Sequence, residues 1–598
     1  MKSCIFDIET NGLDDKLDRV HCMVIMDTNT KEVSVFEPFT MDLGLKKLEE
    51  FDRLVGHNII SFDLPALNKV FQWKPLDKQK FHDTLILSRL IYPNRASIDS
   101  DNKAIEPHLY GRHSLESWGQ RLGFKKGTFG VDQKVFRTYS IDMMDYCRRD
   151  VELTYKLYCK LLRAGFSEKS IDMEHEIHKV CQKQTEDGFP FDAEKGARLY
   201  AVLSSMRQKH NTKLKKVFGS WEEEGETWTP KVNNKKLGYT KGVPVTRVKT
   251  VEFNPNSRQH IAKRLKDIHG WNPIEFTPSG EAKIDETILS KLPYPEAKLM
   301  AEAFRVNKLI AQLSEGKHAW LDLEKKGRLH GSVNTMGSIS SRCSHTHPNL
   351  GQVPSVKAPF GKECRELFYA PSGYSLVGCD VASLEIRVVG HYMAKYDGGV
   401  FANTCVEGDI HETNRKATGL ATRDQAKTFI YGLLYGAGDA KLGQIVGQGP
   451  EEGARLKTTF FTNNPAFKKF RDDVYKSAKK GYLIGLDGRK VPIRAIHSSV
   501  NSLCQSAGAI ICKRWVVEFH KLMEKSGYLN TSHWQHNGVD YQQVAFVHDE
   551  IQVLVKKGLE DEIGKKAVDA ITLTGVLYDL RVPLTGEYKI GRTWADTH

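Results

Sequence analysis

Short apolar runs at Lys2–Ile8, Val20–Met26 and Val33–Phe36 predict strands, and the stretches Leu43–Phe51 and Asp142–Arg163 read as helices. Strands mixed with helices over residues 1–165 predict an α/β domain with a sheet at its centre. From Ile171 to about Phe218 the pattern is helical. It is interrupted at Gly188-Phe189-Pro190-Phe191-Asp192, where glycine and proline stop one helix and Asp192 can cap the next. Between Gly219 and Glu252 the composition turns to Trp, Gly, Thr, Lys and Pro without helical periodicity, which predicts a basic β-ribbon or loop insertion. Helical pattern returns at Ser257–His269 and Glu296–Leu323, and beyond Gly331 strands and helices mix to the end of the chain.

A chain of 598 residues is too long for one compact core, so two to four domains are expected. The 87 basic residues outnumber the 74 acidic ones, a surplus that suits a polyanionic partner, nucleic acid first among the candidates. Eleven scattered cysteines with no C-x-x-C pair argue for reduced thiols, and against structural zinc or a disulfide framework. The first residues run straight into a strand-like motif, so no signal or transit peptide is expected. No apolar run approaches the ~20 residues that span a bilayer. A soluble, intracellular protein is expected.

Two sets of carboxylates carry the candidate chemistry. Ile5-Phe6-Asp7-Ile8-Glu9-Thr10 places two acids two apart on a predicted strand, so both face the same way. A chain with 74 acids holds several such pairs by chance, and a solvated strand end is the bland alternative. Two further segments change the picture. His57-Asn58-Ile59-Ile60-Ser61-Phe62-Asp63 adds a third acid, and Tyr146-Cys147-Arg148-Arg149-Asp150 a fourth, with Tyr146 and Asp150 on one helical face. The second set begins at Leu376-Val377-Gly378-Cys379-Asp380-Val381, a buried strand ending in an acid, followed by the helix start Ser383-Leu384-Glu385. It is completed by Ala545-Phe546-Val547-His548-Asp549-Glu550-Ile551-Gln552-Val553, the profile of two strands turning at an acidic tip. Carboxylates on adjacent strand ends can hold two Mg2+ ions. Between the two segments, Arg423, Lys427 and Tyr431 recur every four residues and form one helical stripe. That stripe fits phosphates at one end and a base or sugar at the other, or else is a solvated basic face over a core tyrosine.

The first set resembles the proofreading exonucleases with four acids and a tyrosine. The second resembles motifs A, B and C of the A family of DNA polymerases, and is similar in particular to the replicative polymerases of podoviruses related to coliphage T-seven. Gly331-Ser332-Val333-Asn334, His347-Pro348-Asn349-Leu350, Gly408-Asp409-Ile410-His411 and Leu503-Cys504-Gln505-Ser506-Ala507-Gly508-Ala509 extend the resemblance over nearly the whole chain, apart from residues 219–252. It implies an α/β and α+β multidomain protein, a ribonuclease H-like exonuclease domain followed by a right-hand polymerase of palm, fingers and thumb. The expected divisions are 1–165 exonuclease, 166–335 thumb and connecting helices, 336–410 palm, 411–485 fingers and 486–598 palm again. The implied activity is template-directed addition of dNTPs to a primer with 3′–5′ editing, as in a phage genome replicase in the cytoplasm of its bacterial host.

Roles follow from the resemblance residue by residue. Asp7, Glu9, Asp63 and Asp150 would hold two Mg2+ ions for editing, with Tyr146 orienting the water. Asp380, Asp549 and the Val381 carbonyl would hold two more for synthesis, with Glu550 in support and Mn2+ able to substitute. Arg423, Lys427 and His411 would hold the triphosphate, Glu385 would reject a 2′-hydroxyl, and Tyr431 would set weak discrimination against dideoxynucleotides. Tyr435 would stack near the templating base, while Arg342, Gln505 and His548 would touch the primer–template minor groove. Helicase–primase and single-stranded DNA-binding protein are the further partners implied.

The chain departs from this group at Gly219–Glu252, much shorter than the thumb insertion through which the coliphage relatives grip thioredoxin. Lys231, Lys235, Lys236, Lys241, Arg247 and Lys249 stand there beside Trp221, Trp228 and Tyr239. The segment could lie along duplex DNA, form a reduced site for a thioredoxin-like processivity factor, or be a solvated loop. A repair or organellar polymerase, a catalytically dead scaffold and a single-subunit RNA polymerase are the competing readings. The missing 5′-nuclease domain, the intact carboxylates and Glu385 count against them in turn.

Overall fold

The structure, a computed structural model, describes residues 1–13, 16–124, 129, 132–277, 279–530 and 539–598. It divides into two units, one formed by Met1–Pro190 with His330–His598 and the other by Phe191–Leu329.

The first unit opens with strands β1 (Ser3–Thr10), β2 (Val20–Asp27), β3 (Val33–Phe36), β4 (Arg53–Gly56) and β5 (Lys80–Asp83). They form a sheet in the order β3-β2-β1-β4-β5, with β1 antiparallel to β2 and parallel to β4. Both faces of β1 are covered, and its period-two alternation sorts them. Phe6 and Ile8 pack with Met41 and Leu45 of helix α1 (Met41–Glu49) and with Ala66 and Leu67 of α2 (Asp63–Phe71). Ile5 packs on the opposite side, against Cys147 and Val151 of the helix Ile141–Arg163. Asp7 and Glu9 share the phase of Ile5, so they turn toward that helix. The Ile141–Arg163 helix begins where Ser140 accepts a hydrogen bond from the Met143 N–H, and it buries Met143, Cys147, Asp150, Val151, Thr154 and Leu157 along one stripe.

The C-terminal part of this unit is built on a four-stranded antiparallel sheet. Its order is Tyr541–Val547, Glu550–Lys556, Tyr374–Val381, Gly586–Gly591. The helices Ser499–Lys525 and Glu560–Leu577 pack on it through Ile511, Trp515, Ala567 and Ile571, and the Trp515 indole donates to the Ala567 carbonyl at 2.8 Å. A helical block follows, with Phe429, Phe460, Phe467 and Phe470 at its core. In it, Thr422 and Gln425 form a capping box that starts the helix Arg423–Leu434.

The helix Glu168–Asp187 ties these parts together by polar contacts on its buried faces. His175 Nε2 accepts the Asp83 N–H at 2.8 Å, and His178 Nε2 lies 2.8 Å from Ser61 Oγ. Glu174 accepts from Arg489 at 2.7 Å and from Lys513 at 2.6 Å, all three side chains at most 1% exposed.

In the second unit the long helix Ala193–Phe218 starts at Asp192, whose side chain accepts the Lys195 N–H as expected. The segment after it is a ribbon, Ser220–Trp228 paired antiparallel with Val245–Glu252. The expectation of a basic ribbon needs correction: Glu222, Glu223, Glu224 and Glu226 fill the first strand, opposite Arg247 and Lys249 on the second. Lys249 stands in register opposite Glu223, and the Arg247 guanidinium lies 5.9 Å from the centre of the Trp228 ring. The helix expected over Glu296–Leu323 runs only Pro295–Ile310, loosens into a π turn over Ala311–Glu315, and breaks at Gly316 before a short turn at Trp320–Leu323. A Cβ on Gly316 would stand 2.4 Å from the Ala311 carbonyl oxygen, so that close turn requires glycine.

No disulfide forms, all eleven cysteines being free. Among the described residues no helix is long and apolar enough to cross a membrane.

Candidate active sites

The first centre assembles from three elements. β1 presents Asp7 and Glu9, the N-terminus of α2 presents Asp63, and the Ile141–Arg163 helix presents Asp150. Asp63 and Asp150 are 2% and 4% exposed. The Asp63 carboxyl is held well above the usual carboxylate range, by burial foremost and then by the charges of Asp7 and Asp83. Its Oδ1 is enclosed without a hydrogen-bond partner among the described residues. Tyr146 lies one turn before Asp150, its ring 5.6 Å from that of Phe129 and 6.3 Å from that of Phe136.

Two residues of this centre escaped the sequence reasoning. Asp83 is fully buried, and its carboxylate accepts the N–H groups of Asn58 (2.9 Å), Ile60 (3.2 Å) and Leu85 (2.9 Å). It therefore pins the loop that leads to Asp63 and caps helix α3 (Thr84–Ile91) at once. An acid followed by threonine at a strand-to-helix junction is a cap signature, and it was the available signal. Cys147 is the other: its thiol donates to the Asp7 carbonyl at 3.3 Å and to Asp7 Oδ2 at 3.6 Å.

The second centre lies at the edge where Tyr374–Val381 meets the hairpin Tyr541–Lys556. Asp380 pairs across the sheet with Glu550. The two-residue turn His548-Asp549 puts His548 in the left-handed region, at φ 59°, and the Val381 N–H donates to the Asp549 carbonyl at 3.1 Å. The three carboxylates differ. Asp380 is pushed up to about 7, by burial foremost and then by Asp549 and Glu550. Asp549 is raised too, chiefly by burial. Burial acts on Glu550 in the same sense, but His598, Trp594 and Arg365 outweigh it and hold its carboxyl below the usual value. The Trp594 indole donates to Glu550 at 2.6 Å, the Gln552 amide at 2.6 Å and His598 Nδ1 at 2.8 Å. Gly378 lets this cage close, since a Cβ there would stand 2.4 Å from Gln552 Nε2. A cavity of about 310 Å³ opens beside Asp380 and Glu550, with Lys357 and Lys589 on its wall.

The helix Arg423–Leu434 carries its predicted stripe: Arg423 and Lys427 are exposed and Tyr431 is half-buried. Arg423 Nε donates to Asp409 Oδ2 at 2.6 Å, which holds the Asp409 carboxyl down at about 2. The His411 ring lies 6.2 Å from that of Tyr431. Glu385 is engaged by Tyr435, whose hydroxyl donates at 3.1 and 2.9 Å to its two oxygens, and by Arg342 at 3.1 Å. His548 is exposed at the hairpin tip, and Gln505 is half-buried on the helix Ser499–Lys525.

Both centres suit divalent cations. Asp63 keeps a buried oxygen unpartnered, and Asp380 shares its surroundings with two further carboxylates and has its charge disfavoured by them.

Two acidic centres, one on a five-stranded α/β sheet and one on an antiparallel sheet flanked by helices, define a protein with two separate carboxylate sites suited to divalent cations. The family description for DNA polymerase family A matches residues 240–596, and that for the RNase H superfamily matches residues 4–128. The chain belongs to DNA polymerase family A, as a DNA-directed DNA polymerase with an RNase H-like exonuclease domain at its N-terminal end. It is 33% identical to the DNA-directed DNA polymerase of Escherichia phage T7 over 99% of this chain and 100% of that protein. The DNA-directed DNA polymerase of Enterobacteria phage T3 is also 33% identical, over the same shares. DNA polymerase I of Aquifex aeolicus is 26% identical over 98% of this chain and 95% of its own length. Among solved structures, the POL domain of Pol1 from M. smegmatis, in complex with DNA primer-template and dNTP, matches with a TM-score of 0.73. That match covers 100% of this chain and 96% of the other at 17% identity, which speaks for the fold. The family resemblance and the fold class expected from the sequence are thereby borne out. Family A polymerase domains and RNase H-like nuclease domains generally use divalent metal ions.

Proposed function

We propose that this chain extends a DNA primer on a template with dNTPs at the Asp380–Asp549 centre and trims the 3′ end at the Asp7–Asp63 centre, as the replicase of a phage genome in its host's cytoplasm. The observation that carries the reading is the Val381 N–H bond to the Asp549 carbonyl at 3.1 Å, which holds the hairpin tip against the end of the Asp380 strand. Asp380, Asp549 and the Val381 carbonyl would hold two Mg2+ ions there, and Asp7, Glu9, Asp63 and Asp150 would hold two in the editing site, with Mn2+ able to replace them. Bound there, the ions lower the pKa of the attacking oxygen and offset charge on the leaving one. Glu550, kept ionised by its cage, fixes the field around the synthetic centre. Tyr146 orients the water for editing.

Arg423, Lys427 and His411 bind the triphosphate. Glu385 packs under the sugar beside Tyr431 and rejects a 2′-hydroxyl, and Tyr435 stacks near the templating base. Arg342, Gln505 and His548 line the minor groove of primer–template DNA. The working division is exonuclease 1–165, thumb 166–335, palm 336–410 and 486–598, and fingers 411–485. Helicase–primase and single-stranded DNA-binding protein are the partners of such a replicase.

The T7 relative aligns over 708 residues against the 598 of this chain, so it holds segments that this chain lacks. The 219–252 ribbon is one place for that difference, and it bears on processivity. Single-encounter primer extension with Mg2+, four dNTPs and a DNA trap, with and without thioredoxin, tests both points. Extension is expected. Long products without thioredoxin mean the protein holds DNA unaided, and lengthening only with thioredoxin makes the ribbon a working clamp site. No extension by folded protein overturns the proposal.

A further inference from the structure

The editing centre contains a sulfur atom as well as oxygens. Cys147 is fully buried, one residue past Tyr146, with its Sγ 3.6 Å from Asp7 Oδ2. Ligand atoms of Asp7, Glu9 and Cys147 all lie within 4.8 Å of one another, and among the described residues no other three His, Cys, Asp or Glu side chains close so tightly. Asp63, 2% exposed, bears on the same place: its Oδ1 has no hydrogen-bond partner among the described residues, and the charge acting on it most strongly is that of Asp7.

A zinc ion takes thiolate sulfur at about 2.3 Å and carboxylate oxygen at about 2.0–2.2 Å, so the edge of its tetrahedron is about 3.5 Å. The Cys147–Asp7 separation of 3.6 Å matches that edge without rearrangement. Magnesium gains nothing from such a site, because a hard ion selects oxygen, whereas zinc and cadmium gain a strong bond to sulfur.

We propose that Asp7, Glu9 and Cys147 form a binding site for a thiophilic divalent cation, zinc or cadmium, which silences editing and leaves synthesis running. The proposal rests on Asp7 and Glu9 being the editing carboxylates. Binding replaces the S–H bond of Cys147 by a metal–sulfur bond and releases one proton to water, with no change of oxidation state. The ion then draws Asp7 and Glu9 into coordination with the thiolate, and they are lost to the magnesium that editing needs. The synthetic centre differs in its donor set. Asp380, Asp549 and Glu550 offer oxygen alone, and Cys512, although it feels the charges of Asp549 and Asp380, is not gathered with them into a comparable group. Trace zinc would therefore turn an accurate polymerase into an error-prone one without slowing it.

The test uses the full-length protein. Cadmium titration without DNA is followed by the ultraviolet thiolate-to-cadmium charge-transfer band, in wild type, Cys147→Ser and Asp7→Asn, with thermal melts to establish that each variant is folded. The band assigned as wild type minus Cys147→Ser is expected to saturate at one equivalent, and Asp7→Asn is expected to weaken cadmium binding by about tenfold or more. In a magnesium background, the zinc concentration that halves 3′ hydrolysis of single-stranded DNA should lie about tenfold or more below that which halves primer extension, and Cys147→Ser should close the gap. Identical cadmium bands in wild type and Cys147→Ser overturn the proposal. Equal zinc sensitivity of hydrolysis and extension in the wild type overturns it as well. Should the protein prove unable to hydrolyse DNA, the editing assignment fails, and the cadmium band still decides the metal site.

Discussion

At the N-terminal centre Asp63 is 2% exposed, faces Asp7 and Asp83, and has an oxygen with no partner among the described residues; at the C-terminal centre Glu550, 8% exposed, is caged by Trp594, Gln552 and His598. One carboxylate is therefore driven up in pKa and the other down, although both are enclosed. Burial alone disfavours either charge, and the sign of the net shift follows from what the surrounding protein donates. In the proposed reading the N-terminal centre leaves Asp63 to be neutralised by an incoming cation. On the same reading the C-terminal centre keeps Glu550 ionised and leaves Asp380 and Asp549, both raised, to respond to metal.

The largest effect expected is a clean partition of activities. Asp549→Ala should lower primer extension by about three orders of magnitude or more and leave 3′ hydrolysis intact, and Asp7→Ala with Glu9→Ala should do the reverse. Gel assays of both activities on each folded variant check this, and loss of both activities in either would end the two-centre comparison.

Next comes the joint between the parts. Glu174→Gln leaves Arg489 and Lys513 short of a buried counter-charge and should cost about 3–5 kcal/mol in denaturant unfolding at neutral pH. Burial opposes the Glu174 charge, but Lys513 and Arg489 overcome it and hold the carboxyl below its ordinary value of 4.5. A carboxyl depressed in the folded state stabilises fully above 4.5, and that contribution is lost as pH falls through the lower folded value. The deficit of Glu174→Gln should accordingly shrink toward acid, and a pH-independent deficit would contradict the ion cluster.

Asp83→Asn should reduce editing by about 10–100-fold while extension is unchanged, because it loosens the backbone that places Asp63. Equal losses in both activities would show a general folding defect instead. Smallest of all, Trp594→Phe removes one charge-assisted hydrogen bond to Glu550, worth about 1.5–3 kcal/mol, and should slow single-turnover extension several-fold without altering editing.

Much of this was legible in the residue order. The period-two placement of Asp7 and Glu9, the Tyr146–Asp150 face, the acidic turn at Asp549 and the Arg423–Lys427–Tyr431 stripe are local facts, decided by strand and helix geometry within a few residues. The motif order also sufficed to recognise the family. At 219–252 the sequence left a ribbon and a loop both open, and the antiparallel pairing of Ser220–Trp228 with Val245–Glu252 decided for the ribbon, whereas the glutamates that offset its cations stand in the sequence itself.

The tertiary structure decided what lies between distant segments. Asp83 grips a loop that ends more than twenty residues earlier, Cys147 reaches Asp7 across 140 positions, and Glu550 is caged by Trp594 and His598 from 44 and 48 positions away. Asp83 shows locally only the cap signature of an acid before threonine; the partnerships themselves have no local signature, because burial, charge and hydrogen bonding act through space. The chain by itself determined which residues could hold metal; folding determined how strongly each one needs it.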